Sequence, residues 1–261
     1  TVNNNIYPEI SNYIPNAYVA NEDYFFTMSF RGISKLRYCS VENFSPKCRD
    51  GLADVYFPLF RQENLSFGSK LTVQSLSNRF GGTKFGEASS LGFKFAKRLS
   101  SEWSLAIGGE NIVHFDDKTD LGRNFYLMSS TSIPLNSKKE PSILFINAGI
   151  GSDFYGYKGN GFLGTTTCFG SNTLTGNGEN KCNWGPIGSV AIAFNSRIAL
   201  VNEWFGFGYG SGISFRPLKN KTINFSLYAT DFIKGYPKYA EDICPDQTCS
   251  TRFYGGMSVS F

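Results

Sequence analysis

The chain carries one histidine, His114, and three methionines in 261 residues. A single histidine leaves both metal binding and histidine-assisted nucleophilic chemistry short of partners. No apolar run approaches the roughly 18 residues that a membrane-crossing helix needs; the longest are of the size of Ile143–Ile146 and Ile198–Val201. The six cysteines form no C-x-x-C pair, which argues against a tetrahedral metal site. No block of like charge marks a polybasic arm, and a net charge of +4 is too mild to imply nucleic acid as a partner. Hydrophobic residues reach only 41%, thin supply for a large two-layer core. Thr1 opens no basic, apolar leader, so the chain is expected to be a mature form after signal removal.

Aromatics, glycine and alternation are abundant instead, with 25 Phe, 14 Tyr and 28 Gly. Alternating segments fall at 24–38, 52–58, 64–77, 84–98, 102–113, 122–134, 142–151, 186–194, 197–204, 207–216, 222–232 and 251–261. In the third, Leu65, Phe67, Leu71 and Val73 oppose Ser66, Gly68, Lys70, Thr72 and Gln74. In the eleventh, Ile223, Phe225, Leu227 and Ala229 oppose Thr222, Asn224, Ser226, Tyr228 and Thr230. A soluble β-sandwich alternates in the same way. Polar faces of Ser, Thr, Gly, Asn and Tyr suit a wet interior, however. A membrane protein without a spanning helix must close its backbone ladder into a barrel. The predicted fold is therefore all-β: a transmembrane antiparallel up-and-down barrel of about twelve strands, with ten or fourteen as neighbouring counts. Residues 24–261 would form it. Residues 1–23 hold six Asn, do not alternate, and read as an extension that packs either in the lumen or on a partner.

The connections support this reading. Tight turns at 61–63, 99–101, 136–141, 195–196 and 217–221 take one side. The segments 39–51, 78–83, 114–121, 152–185, 205–206 and 233–250, several of them long, take the other. Short periplasmic turns and longer external loops are the asymmetry of outer-membrane barrels. Trp103 would sit at the periplasmic edge, with Trp184 and Trp204 at the external edge, as in aromatic girdles.

The final strand is the most specific segment. Phe253, Gly255, Met257, Val259 and Phe261 share a face, opposed by Arg252, Tyr254, Gly256, Ser258 and Ser260. It resembles the terminal signature of bacterial outer-membrane β-barrel proteins, with Met257, Val259 and Phe261 in the positions read by the barrel-assembly machinery. The Asn- and Lys-rich composition and repeated aromatic strands are also similar to cyanobacterial barrel proteins. The resemblance covers residues 24–261 and is architectural. It implies an integral protein of the bacterial outer membrane, with lipid and lipopolysaccharide as surroundings and a homo-oligomer or another envelope protein as a possible partner. It implies passive diffusion of small polar solutes, as in small porins. The alternative is a plugged structural barrel whose external loops bind a partner.

All six cysteines fall in the predicted external loops: Cys39 and Cys48, Cys168 and Cys182, Cys244 and Cys249. Of fifteen possible pairings, the three local ones close the shortest loops and would staple each loop in an oxidising compartment. Parity directs Arg31, Lys70, Lys94, Arg197, Arg216 and Arg252 to the lumen, against Asp54, Glu110 and Glu203. Six cations against three anions would favour anions weakly; the same charges could instead pair across the lumen. No catalytic constellation is visible, and no enzyme activity, metal or cofactor is expected. His114 has no Ser partner at fixed spacing, and Gly206–Gly210 has no following helix to make a dinucleotide loop. The carboxylates of 115–120 read as a solvated loop. The loop 152–185, with eight Gly, either folds into the mouth or projects from it.

Overall fold

The computed structural model describes residues 6–35, 49–76, 85–116, 123–152, 155, 165–167, 181–206, 208–218, 221–231 and 251–261. The described strands are β1 Thr27–Ile33, β2 Asp50–Gln62, β3 Leu65–Val73, β4 Ser89–Arg98, β5 Trp103–His114, β6 Asn124–Pro134, β7 Ile143–Ser152, β8 Thr165–Thr167, β9 Lys181–Ala193, β10 Ile198–Trp204, β11 Tyr209–Phe215, β12 Ile223–Thr230 and β13 Arg252–Ser260. Twelve of them close an antiparallel barrel in chain order, β1 through β7 and then β9 through β13; β13 pairs back on β1. The short β8 lies outside the ring and pairs with Lys181–Asn183, where β9 runs beyond it. No helix occurs among the described residues.

The twelve barrel strands fall on the twelve alternating segments of the sequence. β9 begins five residues earlier than its segment, at Lys181, and β2 continues to Gln62 instead of stopping near Pro58. Proline cannot donate to a ladder, and here a register shift between Pro58 and Phe60 absorbs it as a bulge. Connections alternate as expected between a turn end (63–64, 99–102, 135–142, 194–197, 216–222) and a loop end.

Most outward side chains are apolar, and the large ones are exposed. Phe60, Phe67, Phe95, Ile107 and Leu127 stand directly opposite one another across β2 to β6 and form one continuous band. Trp103 marks the turn end of this wall and Trp204 the loop end, both exposed. The barrel closes at β1–β13 with pairing from Thr27↔Ser260 to Ile33↔Tyr254. Beyond it the Phe26 and Phe261 rings stack at 4.7 Å, and Phe261 N–H donates to the Phe26 carbonyl at 3.0 Å. Met257 and Phe261 are exposed on the outer wall, and Val259 lies between them on the same face. Buried apolar residues lie inside the ring in two clusters, one joining wall residues to Ile14 and Ala17 and the other joining wall residues to Ile10.

Candidate functional site

Residues 6–24 occupy the lumen as a re-entrant loop. At the turn end, the Ile6 carbonyl accepts from Arg216 Nη1 at 2.5 Å and the Tyr7 hydroxyl donates to the Pro141 carbonyl at 3.0 Å. The chain climbs to an apex at Asn12–Ile14, near the loop end, and descends. Ala17 N–H then donates to Ser130 Oγ at 2.7 Å and Ala20 N–H to Ser66 Oγ at 3.0 Å. Arg61 holds the carbonyls of Glu22 and Tyr24 where the segment leaves the lumen for β1. The local sequence suits this path. Pro8 and Pro15 each remove an amide donor. Asn16 and Asn21 accept from the amides of Tyr18 (3.2 Å) and Asp23 (3.0 Å), which are Asx turns. A segment with no ladder of its own would leave buried amides unpartnered, and wall side chains supply the partners.

The apex is clamped by Glu203 on β10, a carboxylate only 1% exposed. It accepts the successive amides of Asn12 (3.1 Å), Tyr13 (2.8 Å) and Ile14 (2.7 Å), and the Tyr228 hydroxyl at 2.8 Å. Successive amides converging on one anion form a nest, here with the anion fixed in the wall. The Tyr13 ring stacks on Phe205 (4.8 Å), meets Tyr254 edge-on (4.9 Å) and lies tilted against Tyr228 (5.6 Å). Tyr155 covers the apex from the loop end, its hydroxyl donating to Glu110 at 2.7 Å. Gly206, at φ +92, lets the β10–β11 turn pass close over it; a Cβ there would sit 1.8 Å from the Tyr155 carbonyl oxygen. Of the loop 152–185, Tyr155 thus folds into the mouth.

The inner wall divides into two sectors. From β6 to β10 it presents Tyr126, Met128, Ile143, Phe145, Ile187, Ala191, Ala193, Ala199 and Val201, all buried. Among these runs a polar line, Ser130, Asn147 and Ser189, in register across β6, β7 and β9. Ser130 bonds Asn147 at 2.5 Å, and Asn147 Nδ2 donates to Ser189 Oγ at 2.7 Å. Ser189 reaches the Ile10 carbonyl at 3.3 Å, so the line ties together both legs of the insert. From β1 to β3 the wall is charged, and the insert meets it at separate points, the Asn12 carbonyl on Arg31 and the Ala20 amide on Ser66, with space between them. The space left is a cavity of about 480 Å³ along the insert, bounded low by Ser29 and Asn224 and high by Asn111 and Asn124.

Five charged side chains line that cavity: Glu9 of the insert, Arg31, Asp54, Lys70 and Glu110. Arg31 Nη2 meets Asp54 Oδ2 at 2.5 Å, and Lys70 pairs with Glu110. Thr72 adds a hydrogen bond to Asp54 at 2.7 Å. An insertion in β5 opposite Gly92, with Asn111 at φ +56, brings both Glu110 and Asn111 to the inner side. Burial moves the Glu9 carboxyl above the ordinary carboxylate range, partly offset by a Ser258 hydrogen bond and by Arg31.

The other charged positions singled out by parity serve elsewhere. Arg252 is sealed in an ion pair with Asp231 at 2.6 Å. Arg216 is buried on the carbonyls of Ile6, Ser196 and Lys221. Lys94 donates to Asn16 of the insert at 3.1 Å. Arg197 is exposed in the turn before β10, away from the cavity lining, because the strand begins one residue later and Asn195 caps that turn. The excess of six cations over three anions therefore does not reach the cavity, where two cations meet three carboxylates.

Asp231 escaped parity because its positive φ of 59 turns it inward just past β12. Cys39, Cys48, Cys168, Cys244 and Cys249 lie outside the described residues, and Cys182 is described only as backbone in β9. Of the acidic loop 115–120, Asp116 accepts from the Ser89 amide at 3.0 Å; 117–120 lie outside the described residues. Among the described residues no cluster has metal-ligand geometry. No protein-family model matches the chain, and no curated protein matches it in sequence.

Proposed function

We propose that this protein is a porin-like channel of the bacterial outer membrane, a route for small polar solutes whose width is set by its own N-terminal insert. The observation that carries this reading is the charged cavity running beside the insert within a closed barrel. The exposed apolar band on the outer wall supports lipid as its surroundings, since a contiguous apolar surface of this extent is unusual in a water-soluble monomer. With three carboxylates facing two cations, the passage favours cations slightly rather than anions.

Single-channel recording in a planar bilayer tests this on the full chain and on a chain lacking residues 1–23. The full chain should give a small, steady conductance, and the shortened chain one several-fold larger. Silence from the full chain with conductance from the shortened one would make the insert a complete plug. Silence from both, with the barrel folded, would favour a structural barrel that binds partners through its loops.

A further inference from the structure

The charged side chains of the cavity alternate in sign around the wall. Arg31 stands on β1, Asp54 on β2, Lys70 on β3 and Glu110 on β5, with Glu9 contributed by the insert. Each cation bonds a neighbouring carboxylate, yet the pairs are not sealed. The side chains of Arg31, Lys70 and Glu110 remain 28%, 26% and 21% exposed, toward the cavity they line. Lys70 spends one of three donors on Glu110. Arg31 directs Nη1 to the Asn12 carbonyl and Nη2 to Asp54, with donors to spare.

Such a wall discriminates by charge pattern. A lone anion meets two cations but also three carboxylates, and a lone cation the reverse, so either gains little net attraction. A neutral polyol exchanges water for ordinary hydrogen bonds. A molecule carrying both charges loses the hydration of both on going in, and this wall replaces both with charge-assisted bonds, which are about twice as strong as neutral ones. The cavity, about 480 Å³, falls within the roughly 300–1,000 Å³ range of small-molecule sites.

We propose that this cavity is a binding site for small zwitterions of the free α-amino acid class. The solute carboxylate is received by Arg31 or Lys70, and its ammonium by Asp54, Glu110 or Glu9. The inference rests on the channel reading for its role in transport, but not for binding itself.

Two measurements on the full chain test it. Titration calorimetry in detergent compares alanine with erythritol, a neutral solute of similar size, and with acetate and ethylammonium, each carrying one of the charges. Swelling of proteoliposomes in isosmotic alanine or erythritol then reads passage. Alanine should bind at least tenfold more tightly than the other three and swell the vesicles at least threefold faster than erythritol. The paired change Lys70→Met with Glu110→Gln should lower both ratios several-fold, and so should Arg31→Met with Asp54→Asn, a second pair in case the first disturbs folding; the two pairs together should bring both ratios near one. Equal binding of alanine and erythritol, or an alanine preference that survives both paired changes, overturns the site. Alanine binding without swelling by any solute keeps the site and removes the channel. Equal swelling without alanine preference keeps the channel and removes the site.

Discussion

The two sectors of the lumen wall are built from the same kind of strand but do opposite things. From β6 to β10 the inner positions are mostly Ala, Val, Ile, Met, Phe and Tyr, and the insert lies against them. From β1 to β3 the corresponding positions are Arg31, Asp54, Lys70 and Thr72, and space remains. Apolar side chains facing water gain by being covered, at about 25 cal/mol per Å² buried. Charged side chains lose their hydration if covered without full pairing. Small wall residues such as Ala191, Ala193 and Ala199 also let the insert approach closely. The division of polarity around the ring thus decides where the insert goes and which side stays open.

The strongest way to break this arrangement is at Glu203, among the described residues the charged group of the apolar sector that holds the insert. Glu203→Ala leaves the amides of Asn12, Tyr13 and Ile14 and the Tyr228 hydroxyl without their acceptor. Each unsatisfied buried group costs about 1–3 kcal/mol. The insert should lose at least about 3 kcal/mol of docking energy, a factor of about a hundred in occupancy. Conductance should rise, and residues 6–24 should become cleavable by added protease. An unchanged conductance would mean that the aromatic contacts alone hold the apex.

Tyr13→Ala tests those contacts. It removes the stack on Phe205 and the ring contacts with Tyr254 and Tyr228 while leaving the Glu203 clamp in place. A loss of about 2 kcal/mol is expected for a large, half-buried ring. It should show as frequent brief openings in single-channel records. A smaller effect, about 1–2 kcal/mol, is expected for Asn147→Ala, which interrupts the line from Ala17 to Ile10. Amide exchange at Ala17 should quicken there, with little change at the apex amides.

Much of the barrel was legible in the sequence because the outer wall mostly obeys one simple rule, an apolar residue at every second position, broken at a few places such as Ser129 and Thr131. The inner wall obeys no single rule, and there the reading was partial. Two segments did signal it. Ile143–Ile146 and Ile198–Val201 are apolar at consecutive positions, which means apolar on both faces. A strand between lipid and water has no use for the second apolar face; a strand covered from inside does. In the structure Ile143, Phe145, Ala199 and Val201 are the inner residues of these runs, under the insert. What parity could not reach was any charge off the regular strands. Glu9 sits on a segment without periodicity, Asp231 is turned by a positive φ, and Arg197 lies in a turn one residue before its strand. Those three positions account for most of the gap between a cation-rich lumen and the balanced cavity observed.

The mildest prediction concerns the open sector and follows from Glu9. Its nearest charges are Arg31 and Asp54, and burial moves its carboxyl above the ordinary range. When Glu9 is ionised, three carboxylates face two cations in the cavity; when it is protonated, two face two. Slight cation preference is therefore present above the Glu9 titration and is lost as pH falls through it, at a pH higher than a free glutamate would set. Reversal potentials in a KCl gradient, taken over a pH series, should move toward zero on acidification. Glu9→Gln should hold the low-pH value throughout. For stability the sign is opposite to that of a salt-bridged acid: the folded form holds this proton more tightly than the unfolded chain does. Stability from this group is full below the ordinary carboxylate range and declines as pH rises through the raised value. Insert docking should then be slightly firmer in acid while selectivity is weaker. A pH series in which both quantities moved together would place the responsible charge somewhere other than Glu9.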